Sequence, residues 1–204
     1  MFKRNSMNSD THIGISYLED LPFEFIEEYT NTISATNLKI ESESRENGIY
    51  MSIEWALPTI VIAYLTKPYF EAFLQEAGKD HYQVLKKGTL RLFSHLFGDN
   101  PEKRDKKRSQ VFSVIVQLCD GRPLKFIFPE GITIQQYENS LELMYELLTK
   151  HYRDHPNDRI TTMVEKLSTH SHSLYVEYIA EESSWILLDP LLEAEKARIR
   201  NKKT

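Results

Sequence analysis

Cysteine is nearly absent from this chain: Cys119 stands alone, so no internal disulfide can form and no C-x-x-C pair is available for a redox or zinc motif. No glycine-rich phosphate loop, G-x-S-x-G elbow or H-E-x-x-H pair occurs, which removes the strongest signatures of nucleotide binding, α/β-hydrolase chemistry and zinc proteolysis. The opening "MFKRNSMNSDTHIG" carries two early basic charges without an apolar run behind them, so no signal peptide is expected. With one cysteine, this points to a reducing, cytoplasmic location. Repeats and low-complexity tracts are also missing, and the 204 residues are expected to form one domain, 1–204.

Long hydrophobic runs are lacking as well. The most apolar stretch, "IEWALPTIVIAYLTKPYFEAFL", has only twelve residues between Glu54 and Lys67. As a helix they would reach ~18 Å at about 1.5 Å per residue, against a hydrocarbon core of roughly 30 Å. Extending the segment takes in Lys67 and Pro68, so a membrane span is not expected, while contact with a membrane interface is left open. "TIVIAYL" is apolar around its whole circumference and reads as a covered helix starting at Pro58. The aromatic set Trp55, Tyr64, Tyr69, Phe70 and Phe73 is denser than a core requires, and aromatics are enriched where proteins anchor into one another.

What is present suggests an α+β fold. Ile13, Ile15 and Tyr17 alternate as in a half-buried strand, Phe23, Ile26 and Tyr29 form a helical stripe, and "NLKIESE" reads as a second strand. A helical block is expected over about 55–97, with Gly78 as an internal break and Gly98 as the stop. A hairpin over about 110–128 is centred on Asp120-Gly121 as a two-residue type I′ turn. Helices follow over about 133–168, the first opened by a Thr133/Gln136 capping box, then a hairpin over about 173–189 and a polar tail, about 190–204. Together these imply a mainly antiparallel sheet, built from two hairpins and the N-terminal strands, with the helical block and the helix pair packed on it.

The formal charge is -5 but unevenly spread: residues 10–54 hold ten acidic groups, whereas 102–108 hold five basic ones. Lys87 and Arg91, four apart on one helix face with His95, lead towards Lys103, Arg104, Lys106, Lys107 and Arg108, a candidate anion-binding path over 87–108. The acidic balance makes nucleic acid a poor expectation as the dedicated partner. Histidines offer the remaining chemistry. His170 and His172 lie on one side of an extended segment, His151 and His155 are one helical turn apart, and Asp80 and His81 adjoin at a helix start. Asp80 suits the helix N-terminus better than a relay, and no histidine can be assigned to Cys119 from sequence. No cofactor, resident metal or catalytic residue is therefore expected. The main expectation is a protein-interaction or self-assembly module. The alternatives are an enzyme with a polar or metal site gathered from Asp80, His81, His170 and His172, or a peripheral adaptor binding nucleic acid or anionic membrane through 87–108.

Overall fold

Val61–Leu65 forms a strand, not the helix expected to run from Pro58, and this one change reorganises the sheet. Five residues rich in β-branched and aromatic side chains favour a pleated conformation, and apolar character all round suits a strand buried on both faces as well as it suits a buried helix. The structure is a computed structural model that describes residues 11–34, 38–45, 60–66, 69–70, 78–105, 107–166 and 174–188. Trp55, Pro58, Phe73, Lys106, His170, His172 and the tail 190–204 lie outside these.

Seven strands make one sheet in the order β2-β1-β3-β4-β5-β6-β7: β1 Ile13–Leu18, β2 Ile40–Arg45, β3 Val61–Leu65, β4 Lys107–Gln117, β5 Pro123–Glu130, β6 Leu174–Ile179 and β7 Ser184–Leu188. The sheet is mixed, not mainly antiparallel. β1 runs parallel to β2, β3 to β4 and β5 to β6, while β1/β3, β4/β5 and β6/β7 are antiparallel. Parallel neighbours need a crossover, and helices supply it: α1 (Phe23–Ile33) after β1, α2 (Gly78–Phe97) after β3, and α3 (Ile134–Asp154) with α4 (Arg159–Glu165) after β5. Gly78 is the first described residue of α2.

These four helices bury into one core with one face of the sheet: Ile26, Phe93, Leu141 and Ile160 meet Ile15, Val61, Val114 and Phe126. Its centre is aromatic. Phe93 lies 4.8 Å from Phe112 and 5.3 Å from Phe128, both edge-on, and Trp185 meets Phe126 and Phe128 edge-on at 4.9 and 5.1 Å. Edge-to-face contact sets the positive ring edge against the negative face, adding about 0.5–1.5 kcal/mol per pair beyond burial. The Trp185 indole N–H is satisfied by the Ser140 carbonyl at 3.0 Å. The capping box at the start of α3 is present, with the Gln136 N–H on the Thr133 hydroxyl and the Gln136 side chain on the Thr133 N–H.

The β4–β5 turn differs from the type I′ expectation. Gly121 N–H donates to the Leu118 carbonyl at 2.9 Å and Leu118 N–H to the Arg122 carbonyl at 2.8 Å, so Cys119 and Asp120 are the central pair. Only Gly121 has positive φ, 86°, the arrangement of a three-residue loop closed by a glycine bulge. Asp120 supports it by accepting from Arg122 N–H at 2.9 Å and from the Arg122 guanidinium.

At Gly88, α2 packs tightly against α1: a Cβ there would stand 2.8 Å from Ile33 Cγ2 and 3.4 Å from the Tyr29 ring. Gly88→Ala would gain up to ~1 kcal/mol of helix propensity, yet it pushes into a stiff, fully buried isoleucine, and overpacking costs about 1–3 kcal/mol. The urea midpoint should therefore fall with an unchanged slope; a midpoint at or above that of the wild type would contradict this helix contact.

Candidate functional site

Among the described residues, a cluster of reactive side chains joins three places distant in sequence: the β4–β5 turn, the last turn of α3 and the cap of α4. α3 ends with His151 on its buried side, and His155 follows one turn later as the C-cap. Asp158 caps α4, its carboxylate accepting from Thr161 N–H at 3.1 Å and from the Thr161 hydroxyl at 2.7 Å. That same carboxylate accepts from His151 Nδ1 at 3.0 Å. The other ring nitrogen, Nε2, accepts the backbone N–H of Cys119 at 3.1 Å. His151 is thus a neutral imidazole protonated on Nδ1, bolting the turn to the helix end. The Tyr152 hydroxyl adds a second bolt on the Gln117 carbonyl.

Burial alone would raise the Asp158 carboxyl, but the hydrogen bonds from Thr161 and His151 outweigh it and hold the group below the ordinary carboxylate range. Cys119, His151 and Asp158 have the composition of a nucleophile, base and orienting acid. The geometry is different, because the lone pair a base would use is already engaged by an N–H. The thiol instead lies 4.0 Å from the His151 carbonyl. His155 completes the group, with Nδ1 3.1 Å from the Thr161 hydroxyl and 3.7 Å from Asp158 Oδ2. Sequence reasoning noticed His151 and His155 but not their approach to Cys119, 32 residues away along the chain.

The other expected site residues are dispersed. Tyr69 and Phe70 are fully buried, with Phe70 stacked on Tyr152 at 4.3 Å, so they offer no surface to a partner. Tyr64 is half-buried on the face of the sheet opposite the helices. The backbone of Asp80 and His81 lies in α2, and their side chains are outside what the structure describes. Lys87 is exposed on α2, but its neighbours on that stripe are committed to α1: Glu28 takes Arg91 at 3.1 Å and His95 at 2.8 Å. Arg104 pairs with the buried Glu130 at 3.2 Å and lies over the Phe97 ring. Lys103 is exposed in the 3-10 turn Pro101–Lys103, and Lys107 and Arg108 begin β4. The basic path is thus interrupted by internal ion pairs.

Two further features escaped the sequence reading. On the sheet face opposite the helices, Lys125 sits in the row Tyr64–Ile115–Lys125–Tyr175. Burial, with Arg45 adding like charge, lowers its ammonium to about 8. The only trace in sequence is a lysine inside an apolar strand, "PLKFIF". An open groove of about 360 Å³ lies over Tyr82 and Tyr145, with Glu142, Glu146 and Lys150 on its walls. Its charges are matched in place: Lys86 bridges Glu138 and Glu142, and Lys150 binds Glu146, all at 2.6 Å.

The depressed Asp158 value fixes a direction with pH. The unfolded chain takes up protons first as pH falls, so the stabilisation is complete above the ordinary value of ~3.9 and is lost below it, through the native value. Asp158→Asn keeps a capping oxygen but has no carboxyl to titrate. Its unfolding midpoint should therefore fall less than that of the wild type as pH drops below ~4; parallel acid limbs would show that Asp158 carries no such linkage. Comparison with known proteins finds no matching family model, no similar curated protein and no similar solved structure.

Proposed function

We propose that this chain is an assembly module that pairs with a second copy of itself along β7. One observation carries the reading, the contrast between the two strands that end the described sheet. β2, "IESESR", places Glu41, Glu43 and Arg45 along its edge, the charged guard that discourages strand addition. β7, "SWILL", has no charge, proline or bulge, and its Ile186 is 38% exposed, one of two large hydrophobics so exposed among the described residues. An edge strand leaves alternate N–H and C=O groups facing outward, and a second β7 in antiparallel register would satisfy them.

A two-fold axis at Ile186 sets Ile186 against its copy and Ser184 against Leu188, with no like charges opposed. The same operation on β2 would bring glutamates together, which is destabilising. This reading moves self-association from the aromatic segment 55–75, where Tyr69 and Phe70 are interior and Tyr64 is half-buried, to the far edge of the sheet. The enzyme alternative has less support. The described groove is charge-compensated, and the Nε2 lone pair of His151, the ring that Asp158 orients, is occupied by the Cys119 N–H. The adaptor alternative needs a continuous basic face, and Arg91 and Arg104 are engaged within the fold.

Light scattering across a concentration series should give a dimer for the wild type and a monomer for Ile186→Lys, with circular dichroism and unfolding midpoint retained. A wild type that stays monomeric, or a dimer indifferent to Ile186→Lys, would rule out β7 pairing.

A further inference from the structure

The geometry points to a site for a borderline-soft divalent metal, zinc or its probe cobalt, formed by Cys119, His151 and His155. The thiol sulfur and one nitrogen from each ring lie within 4.8 Å of one another. Donors around a tetrahedral zinc stand ~3.3–3.6 Å apart, given bonds of about 2.0–2.1 Å to nitrogen and ~2.3 Å to sulfur. Closure therefore needs a contraction of about 1 Å. Cys119 and His155 are both exposed, on a turn and a helix cap, where such movement is cheapest. A sulfur and two imidazoles select zinc over magnesium or calcium, which prefer oxygen.

The surrounding hydrogen bonds decide which atoms bind. Asp158 holds Nδ1 of His151 at 3.0 Å, leaving Nε2 as the donor, the carboxylate–histidine arrangement that orients metal ligands. Thr161 in turn fixes Asp158 and lies 3.1 Å from Nδ1 of His155, so Nε2 of that ring is the donor too. At present Nε2 of His151 accepts the Cys119 N–H. On binding, the ion takes that lone pair, the thiol of the same residue moves in as thiolate, its proton passes to solvent, and the Cys119 N–H turns to water. Three bonds form to the protein, aquo ligands leave the ion, and one water keeps the fourth position.

The test is cobalt(II) titration of the full chain, produced without a histidine tag and stripped with chelator. We expect one equivalent to bind with a thiolate-to-cobalt charge-transfer band, displaced by zinc. The band should be lost in Cys119→Ser, and the affinity should fall about 10–100-fold in Asp158→Asn, which keeps the cap of α4. His155→Gln, at an exposed position, should abolish tight binding with the fold intact. Absence of the band in the wild type overturns the proposal. So does a band of equal affinity in His155→Gln and Asp158→Asn, since cobalt would then be held by the thiol alone.

Discussion

The arrangement depends on β3 being apolar on both faces and interior to the sheet. Val61, Ala63 and Leu65 enter the helix-covered core, and Ile62 is buried on the other face. A strand apolar on both sides has to sit inside a sheet, because its backbone groups need partners on both edges once water is removed. β1 supplies one side and β4 the other. From that placement the rest follows: β2 and β7 become the ends of the described sheet, the crossovers carry the helices, and the core forms between them.

Polar groups then fix how the parts meet. The aromatic seam around Phe93 fills the space between helices and sheet without directing it strongly, whereas single hydrogen bonds set the register. The Tyr137 hydroxyl donates to the Pro129 carbonyl at 2.8 Å, Asn139 to the Tyr178 hydroxyl at 2.9 Å, and the Trp185 indole to Ser140. His151 does the same at the end of α3, where one ring joins a hairpin turn and a helix cap. A group that binds two elements at once resists movement of either, and for the same reason the lone pair of His151 is not held ready for proton transfer.

Much of the local structure was legible because local rules suffice for it. The sequence spaces Ile134, Tyr137, Leu141, Met144 and Leu148 three and four apart, and along α3 the last four are buried and Ile134 partly so, while the Thr133/Gln136 box opens that helix as its spacing implies. β3 differs from its expected helix for the opposite reason: in "IVIAYL", with no polar residue to mark a face, neither a period of two nor one of 3.6 can be detected, and only its short length argues for a strand. Asp120-Gly121 signalled a turn but not its type, since a glycine at positive φ serves both a type I′ pair and a bulge. The pairing of Arg91 with Glu28 and the approach of His151 to Cys119 were invisible because each requires knowing which elements adjoin across 63 or 32 residues. Of the aromatic set that suggested a partner surface, Tyr69 and Phe70 are interior and Tyr64 is half-buried, and the uncharged edge "SWILL" stood out only beside the charged edge "IESESR".

The most direct measurement of the central claim is native-state hydrogen exchange at the amides of Val61–Leu65. An interior strand buried on both faces can exchange only through global unfolding, so these amides should be among the slowest, with a denaturant dependence equal to that of equilibrium unfolding. Exchange through small local openings, insensitive to denaturant, would contradict an interior β3 and the sheet order built on it.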